Sequence, residues 1–119
     1  MIEDRSSDIQ ALRERVTHIG EYLHLDSKRI ELTALEGKSA EPGFWDDQSS
    51  AQQVMSQAAG LRDEIEAYES LMTDIAELEV VNELAVADDD EELGAEAGES
   101  LRRLRRQMND LEVASWFTG

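Results

Sequence analysis

The chain has 119 residues, no cysteine and a formal net charge of −17 at pH 7. The lack of cysteine excludes disulfides and thiolate metal sites, and one proline with seven glycines is too few for the turns of an all-β fold. No apolar run approaches the roughly 20 residues that span a membrane, and the first ten residues contain no apolar signal core. We therefore expect a soluble, helical, cytoplasmic protein.

The negative charge is concentrated in the middle of the chain. Residues 61–99 hold fifteen acidic side chains against one arginine, whereas residues 100–119 hold four arginines against two acidic side chains. Phosphate binding relies on clustered lysine and arginine, so the middle of the chain is a poor nucleic-acid surface. Most of these acidic groups are interpreted as a solvated face.

The first predicted helix spans about residues 4–23. Its apolar residues recur at steps of three and four, which place them on one helical face. They are Ile9, Leu12, Val16, Ile19 and Leu23. Asp26 then offers an N-cap for a shorter second helix over about residues 27–39.

The clearest break between helices is the segment 41–47. Pro42 donates no backbone hydrogen bond and Gly43 tolerates positive φ, so the chain is expected to turn here. Phe44 and Trp45 directly behind the turn are predicted to plug one end of a bundle. Asp46 or Asp47 is expected to cap the next helix, with Ser49 as a competing cap.

A long helix over about residues 47–86 is the predicted centre of the fold. Its stripe again steps by three and four, through Val54, Ala58, Leu61, Ile65, Tyr68, Met72 and Ile75. Beyond Ile75 a continued heptad would use Glu79 and Asn82, but the apolar residues fall instead at Leu78, Val81, Leu84 and Ala85. This shift predicts a stammer, which rotates the stripe towards new partners: the first two helices along one part, the last helix along the other.

The last predicted helix spans about residues 89–115, with Asp88 as its N-cap. An EF-hand loop in the same acidic run is excluded, because the sixth position, which requires glycine, is Leu93. Together the patterns predict an all-α, antiparallel bundle of about four helices that forms a single domain over residues 1–119.

No catalytic or metal site is predicted. His18 and His24 are six residues apart, on different sides of one helix, and are not a credible ligand pair. No glycine-rich loop could cradle a phosphate. We expect neither an enzyme nor a cofactor.

One basic cluster stands out from the acidic background. It consists of Arg102, Arg103, Arg105 and Arg106. It could bind RNA or a partner, or it could simply flank the core residues Leu101 and Leu104 and compensate an acidic neighbouring helix. The second interpretation is favoured, because four charges without an aromatic platform are weak evidence of RNA binding.

Trp116 and Phe117 are two large apolar side chains at the end of the chain. Only Thr118 and Gly119 follow them in the sequence, and we interpret the ending as a cut between domains. We expect both side chains to pack against a following domain.

Several segments, taken in order, resemble the N-terminal helical domain of bacterial type 2 peptide chain release factors, and the resemblance covers essentially the whole chain. The segments are EYLHLD at 21–26, the leucines at 32 and 35, PGFWDD at 42–47, LAVADDDEE at 84–92 and FTG at 117–119. The proline-x-x-tryptophan turn is similar to type 2 factors and is not usual in type 1.

The resemblance implies a role in translation termination at UGA and UAA codons. It implies the ribosome, the type 3 release-factor GTPase and the factor's own C-terminal domains as partners, and little direct contact with nucleic acid. The family's Gly-Gly-Gln loop and codon-reading tripeptide are not carried over, since no two glycines are adjacent and Pro42 follows Glu41. A docking and positioning role is therefore expected.

Two rival interpretations remain open. One is a self-contained coiled-coil module that dimerises through its apolar stripes. The other is a nucleic-acid-binding module that uses the basic cluster.

Overall fold

In a computed structural model, which describes residues 2–117, the chain forms four α-helices. They are α1 (Ser6–Tyr22), α2 (Leu25–Ser39), α3 (Gln48–Ala87) and α4 (Glu91–Phe117), with a short 3-10 helix at Phe44–Asp46. These residues contain no strand. The predicted all-α bundle on one long central helix is confirmed.

The helices form two compact units. Unit 1 contains α1, the part of α3 from Tyr68 onward and α4. Unit 2 contains α2, the 3-10 helix and the part of α3 through Ala67. The single domain expected for residues 1–119 stays a prediction.

In unit 1, α1 runs antiparallel to α3. At the start of α1 the backbone N–H of Arg5 donates to Oδ1 of Asn82 at 3.0 Å. Near the end of α1, Gly20 lies against the ring of Tyr68, so closely that an added Cβ would be 2.6 Å from a ring carbon. Later residues of α1 thus meet earlier residues of α3.

The same helix runs parallel to α4. An ion pair joins Asp8 to Arg105 at 3.6 Å, and a second joins Arg15 to Glu112 at 3.6 Å. Later residues of α1 meet later residues of α4, so the first and last helices share one unit. The prediction that α1 would pair with α2 along the long helix is therefore wrong.

The core of unit 1 is mainly aliphatic. Its largest fully buried side chains are those of Ile9, Val16, Ile75, Leu78, Leu104 and Met108, each at most 2% exposed. The regular stripe of α1 explains why it occupies this core. Burying one such side chain contributes about 1.5–3 kcal/mol.

Unit 2 has a smaller core, formed between α2 and the first part of α3. Its buried residues are Leu25, Ala51, Val54, Ala58, Leu61 and Ile65. Polar contacts lie along its edge: Lys28 pairs with Glu64 at 2.9 Å, and Gln57 donates to Glu31 at 2.8 Å. Leu32 and Leu35 of α2 are only half-buried.

The turn at 42–47 is built as expected, but its tryptophan does not plug the bundle. Gly43 adopts a φ of 81°, the left-handed region that glycine favours. Phe44 and Trp45 make an edge-to-face contact with ring centroids 5.1 Å apart. Trp45 is nevertheless 59% exposed.

The stripe of α3 does shift register, but earlier than predicted. Beyond Tyr68 the buried positions are Leu71, Ile75, Leu78, Asn82 and Ala85. The three-residue step in place of four therefore falls between Tyr68 and Leu71, where α3 passes from unit 2 to unit 1. The heptad then continues through Asn82, a polar residue that apolar periodicity passes over.

Aspartates cap α3 and α4. Asp47 accepts the backbone N–H of Ser50 at 3.1 Å, which confirms one of the predicted caps of α3. For α4 the cap is Asp90, which accepts from the N–H of Leu93 at 3.1 Å, and not Asp88. Asp89 has a φ of 49°, in the left-handed region, so α4 begins only after it, at Glu91.

The junction of α1 and α2 lacks the predicted cap. His24 adopts a φ of 56° and its carbonyl accepts the N–H of Lys28 at 3.1 Å, so α2 already begins at Leu25. Asp26 lies in the first turn and pairs with Arg29 at 3.3 Å. A left-handed residue redirects the chain here in place of a side-chain cap.

Candidate interaction surfaces

The basic cluster lies on the exposed face of α4. Arg105 reaches Asp8 of α1, and Arg102 forms an ion pair with Glu99 one turn before it. Arg103 and Arg106 make no ion pair within residues 2–117. Two of the four predicted residues are thus charges without a protein partner, three residues apart on the helix.

The buried leucines between these arginines explain their position. Leu101 is 2% exposed and Leu104 is fully buried, so the helix face opposite the core carries the arginines. The sequence interpretation in which the cluster flanks core leucines agrees with this arrangement. It leaves open what Arg103 and Arg106 bind.

An apolar patch occupies the end of α4. Val113 is 45% exposed, Trp116 66% and Phe117 84%. Ser115 between them is buried and donates its hydroxyl to the carbonyl of Glu112 at 2.6 Å. The last two residues of the predicted FTG segment, 118 and 119, lie outside the described residues.

A buried polar network ties the N-terminal segment to α3. Asn82 is 4% exposed; its side-chain N–H groups donate to Asp4 at 3.1 Å and to the Ser6 hydroxyl at 3.4 Å, while its oxygen accepts from the backbone of Arg5. The side-chain N–H groups and the side-chain oxygen of Asn82 therefore all have hydrogen-bond partners. A buried amide of this kind costs little when every partner is present.

The exposed carboxylate of Asp4 is held in its ionised form. The Ser6 hydroxyl, the Ser6 backbone N–H and the Asn82 side chain all donate to it, and these hydrogen bonds hold the pKa of Asp4 below its ordinary value of 3.8. Asp4 is therefore a fixed negative charge at neutral pH, placed where α1 begins.

A groove of about 430 Å³ opens beside this network, between the start of α1 and the end of α3. We call it the α1–α3 groove. Its polar wall includes Asp4, Ser6, Gln10 and Glu83, and Val86 adds an apolar side chain that is 40% exposed. The groove combines negative charge with apolar surface.

Sequence reasoning missed the groove because its key residue is polar. Asn82 was considered only as the position that a continued heptad would have used. That position, between Leu78 and Ala85, was the available signal, since a polar residue at a core position of a heptad is a recurrent device for fixing register.

Within residues 2–117 no three His, Cys, Asp or Glu side chains lie together as metal ligands would. No helix in this part of the chain is both long and apolar enough to cross a membrane.

Comparison with known proteins identifies the family. The model of the PCRF domain matches residues 28–118. A protein named peptide chain release factor 2 from Mycobacterium sp. (strain KMS) is 34% identical over 100% of this chain and 33% of its own length. Proteins of the same name match from Kineococcus radiotolerans (35% identical, 100% of this chain, 32% of the relative) and Arthrobacter sp. (strain FB24) (31% identical, 98% and 31%).

The chain spans about a third of the length of the curated relatives it matches. The matched part is the N-terminal region of those relatives. This confirms the resemblance on which the sequence analysis relied, and the chain belongs to the PCRF-domain family.

Proposed function

We propose that this chain is the N-terminal docking and positioning segment of a type 2 peptide chain release factor, and that it acts in translation termination at UGA and UAA codons. The observation that carries the proposal is the similarity over the whole chain to proteins named peptide chain release factor 2. The segment itself performs no chemistry. Hydrolysis of peptidyl-tRNA and codon reading belong to the remaining two-thirds of such a factor.

The partners in this proposal are the ribosome, the type 3 release-factor GTPase and the C-terminal domains of the same factor, in the cytoplasm. The exposed end of α4 supports the third of these. Trp116 and Phe117 are mostly in solvent, and exposed aromatic groups of this size commonly mark an interface. Arg103 and Arg106 on the same helix supply charges for a second contact.

A coiled-coil dimer would need the apolar stripes that this fold already covers. Ile75 and Leu104 are fully buried within unit 1, and Ala51 is fully buried in unit 2. The structure therefore supports a closed bundle rather than a dimerisation module. Sedimentation of the isolated chain at several concentrations is expected to give a monomer.

A chimaera tests the docking role. This chain is fused to the remaining two-thirds of the Mycobacterium relative, and binding to bacterial ribosomes with UGA in the decoding site is measured by co-sedimentation. We expect the chimaera to bind at least about tenfold more tightly than the same relative lacking its N-terminal segment, because a linked module adds contacts at high effective concentration. Equal binding by both would contradict the docking role.

The interdomain contact has a matched control within the chain. Trp116→Ala and Trp45→Ala each remove an exposed tryptophan, 66% and 59% exposed. Within the chimaera, Trp116→Ala is expected to lower the melting temperature of the catalytic body, while Trp45→Ala leaves it unchanged. Equal changes in the melting temperature with the two substitutions would contradict a contact between Trp116 and the catalytic body.

A further inference from the structure

The α1–α3 groove carries an inference that does not rest on the proposed function. We infer that it is a docking site for a basic amphipathic helix of another protein, which places a lysine or arginine against Glu83 and apolar side chains against Val80 and Val86.

The first support is an unsatisfied carboxylate. Of the acidic groups that line the groove, Glu79 is paired with Arg13 and Asp4 accepts from Ser6 and Asn82. Glu83 has no hydrogen bond or ion pair within residues 2–117. An ionised group at the mouth of a groove favours a cation, and a charge-assisted hydrogen bond is stronger than a neutral one.

The second support is the apolar surface on both sides of this carboxylate. Val80, Glu83 and Val86 follow one another at steps of three, so they are neighbours on the surface of α3. Val86 lines the groove and is 40% exposed, and Val80 lies beside the groove lining and is 54% exposed. Lysine and arginine lay their aliphatic stems along such surface while the charged head meets a carboxylate.

The third support identifies the occupant by charge. The groove lies in the part of the chain with fifteen acidic side chains against one arginine, residues 61–99, which repels nucleic-acid phosphates. A second copy of this chain is also disfavoured, since each copy has a net charge of −17 and like-charged copies repel. A basic segment of a different protein would be attracted by this negative charge, unlike nucleic acid or a second copy of this chain.

The shape favours a helix as the ligand. The groove follows α3 through two turns, from Glu79 to Val86, and its other wall is the start of α1. An amphipathic helix laid into an apolar groove presents its anchors at steps of three and four, which match the spacing of Val80, Glu83 and Val86.

The test uses a designed peptide as the probe. A helix of about 14 residues, which makes about four turns, carries lysine and leucine on one face; the control peptide has the same composition with the two residue types mixed around the helix. Binding to the ¹⁵N-labelled chain is followed by NMR. We expect shifts at residues 6–10 and 80–87 with the segregated peptide, and at least about tenfold weaker binding of the mixed one, which corresponds to about 1.4 kcal/mol.

Two substitutions separate the groove from general attraction to an acidic protein. Glu83 and Glu77 are both exposed glutamates of α3 without an ion pair in the described part of the chain, and only Glu83 lines the groove. Glu83→Gln is expected to weaken binding about tenfold, as loss of a charged hydrogen bond would. Glu77→Gln removes the same charge and is expected to change binding less than about twofold.

Three results would overturn the inference. Equal weakening by Glu83→Gln and Glu77→Gln would mean attraction by net charge alone. Shifts at residues 80–87 that depend on protein concentration without peptide would assign the groove to a second copy. Equal shifts with an RNA hairpin would assign it to nucleic acid.

Discussion

The two units share the helix α3, which packs against a different kind of surface in each of them. In unit 1, Gly20 of α1 lies against Tyr68, the segment before α1 lies against Gly94 and Gly98 of α4, and α3 buries the amide of Asn82. In unit 2, Gly37 and Gly60 have no side chain within 4 Å of an added Cβ. Close packing in unit 1 predicts that it tolerates substitution poorly, whereas unit 2 is expected to absorb the same changes.

The largest expected difference comes from removing leucine side chains. Leu104 in unit 1 is fully buried, so Leu104→Ala is expected to lower the free energy of unfolding by about 2–5 kcal/mol. Leu32 in unit 2 is only half-buried, and Leu32→Ala is expected to cost about 1 kcal/mol. Urea unfolding followed by circular dichroism measures both. Equal losses would remove the contrast between the units.

The buried amide gives the next effect. Asn82→Ala leaves the backbone N–H of Arg5 without its acceptor and is expected to destabilise the chain by about 1–3 kcal/mol. Asn109→Ala removes an exposed amide of α4 and should change stability by less than about 0.5 kcal/mol. If Asn82→Ala were as mild as its control, the network would be incidental to stability.

A pair of glycine substitutions sharpens the comparison further, since the two are expected to have opposite signs. A methyl group at Gly20 would lie 2.6 Å from the Tyr68 ring, so Gly20→Ala should destabilise by about 1–3 kcal/mol. Gly60 has nothing nearby, so Gly60→Ala should stabilise α3 by up to about 1 kcal/mol. Melting temperatures of the two variants that shift in the same direction would contradict this account.

The smallest effect is a dependence on pH. The folded-state pKa of Asp4 is below its ordinary value of 3.8, so its ionised form stabilises the fold above that pH. This contribution is lost as the pH falls through the lowered folded value. Asp4→Asn should therefore narrow the stability difference between pH 6 and pH 3 relative to the unsubstituted chain; an unchanged difference would show that the carboxylate contributes nothing.

The sequence predicts the buried faces of those helical segments in which apolar residues recur regularly. Ile9 to Ile19 in α1 and Val54 to Ile65 in α3 are aliphatic stripes, so their buried faces follow from spacing alone. Leu71 and Asn82 were missed because the register changes at Tyr68, where α3 passes from one unit to the next. That change depends on contacts with α1 and α4, which lie far away in the chain.

Prediction of the α4 cap from the sequence fails for a similar reason, because the cap depends on the folded backbone. Three consecutive aspartates, 88–90, are chemically equivalent candidates for the cap of α4, and the left-handed backbone of Asp89 selects Asp90. For the candidate surfaces, the sequence predicts which residues are charged or aromatic. The exposure of Trp116, and the lack of a partner for Arg103 and Glu83 among residues 2–117, depend on packing and emerge only from the folded chain.

The most direct test of the account is peptide release by the chimaera of this chain with the remaining two-thirds of the Mycobacterium relative. Release of formylmethionine is measured on ribosomes programmed with UGA, UAA or UAG, beside the intact relative. The account predicts that the chimaera releases peptide at UGA and UAA at rates close to those of the intact relative and well above those of the relative lacking its N-terminal segment, and that this chain alone releases none. A folded chimaera that is inactive at UGA and UAA would contradict it.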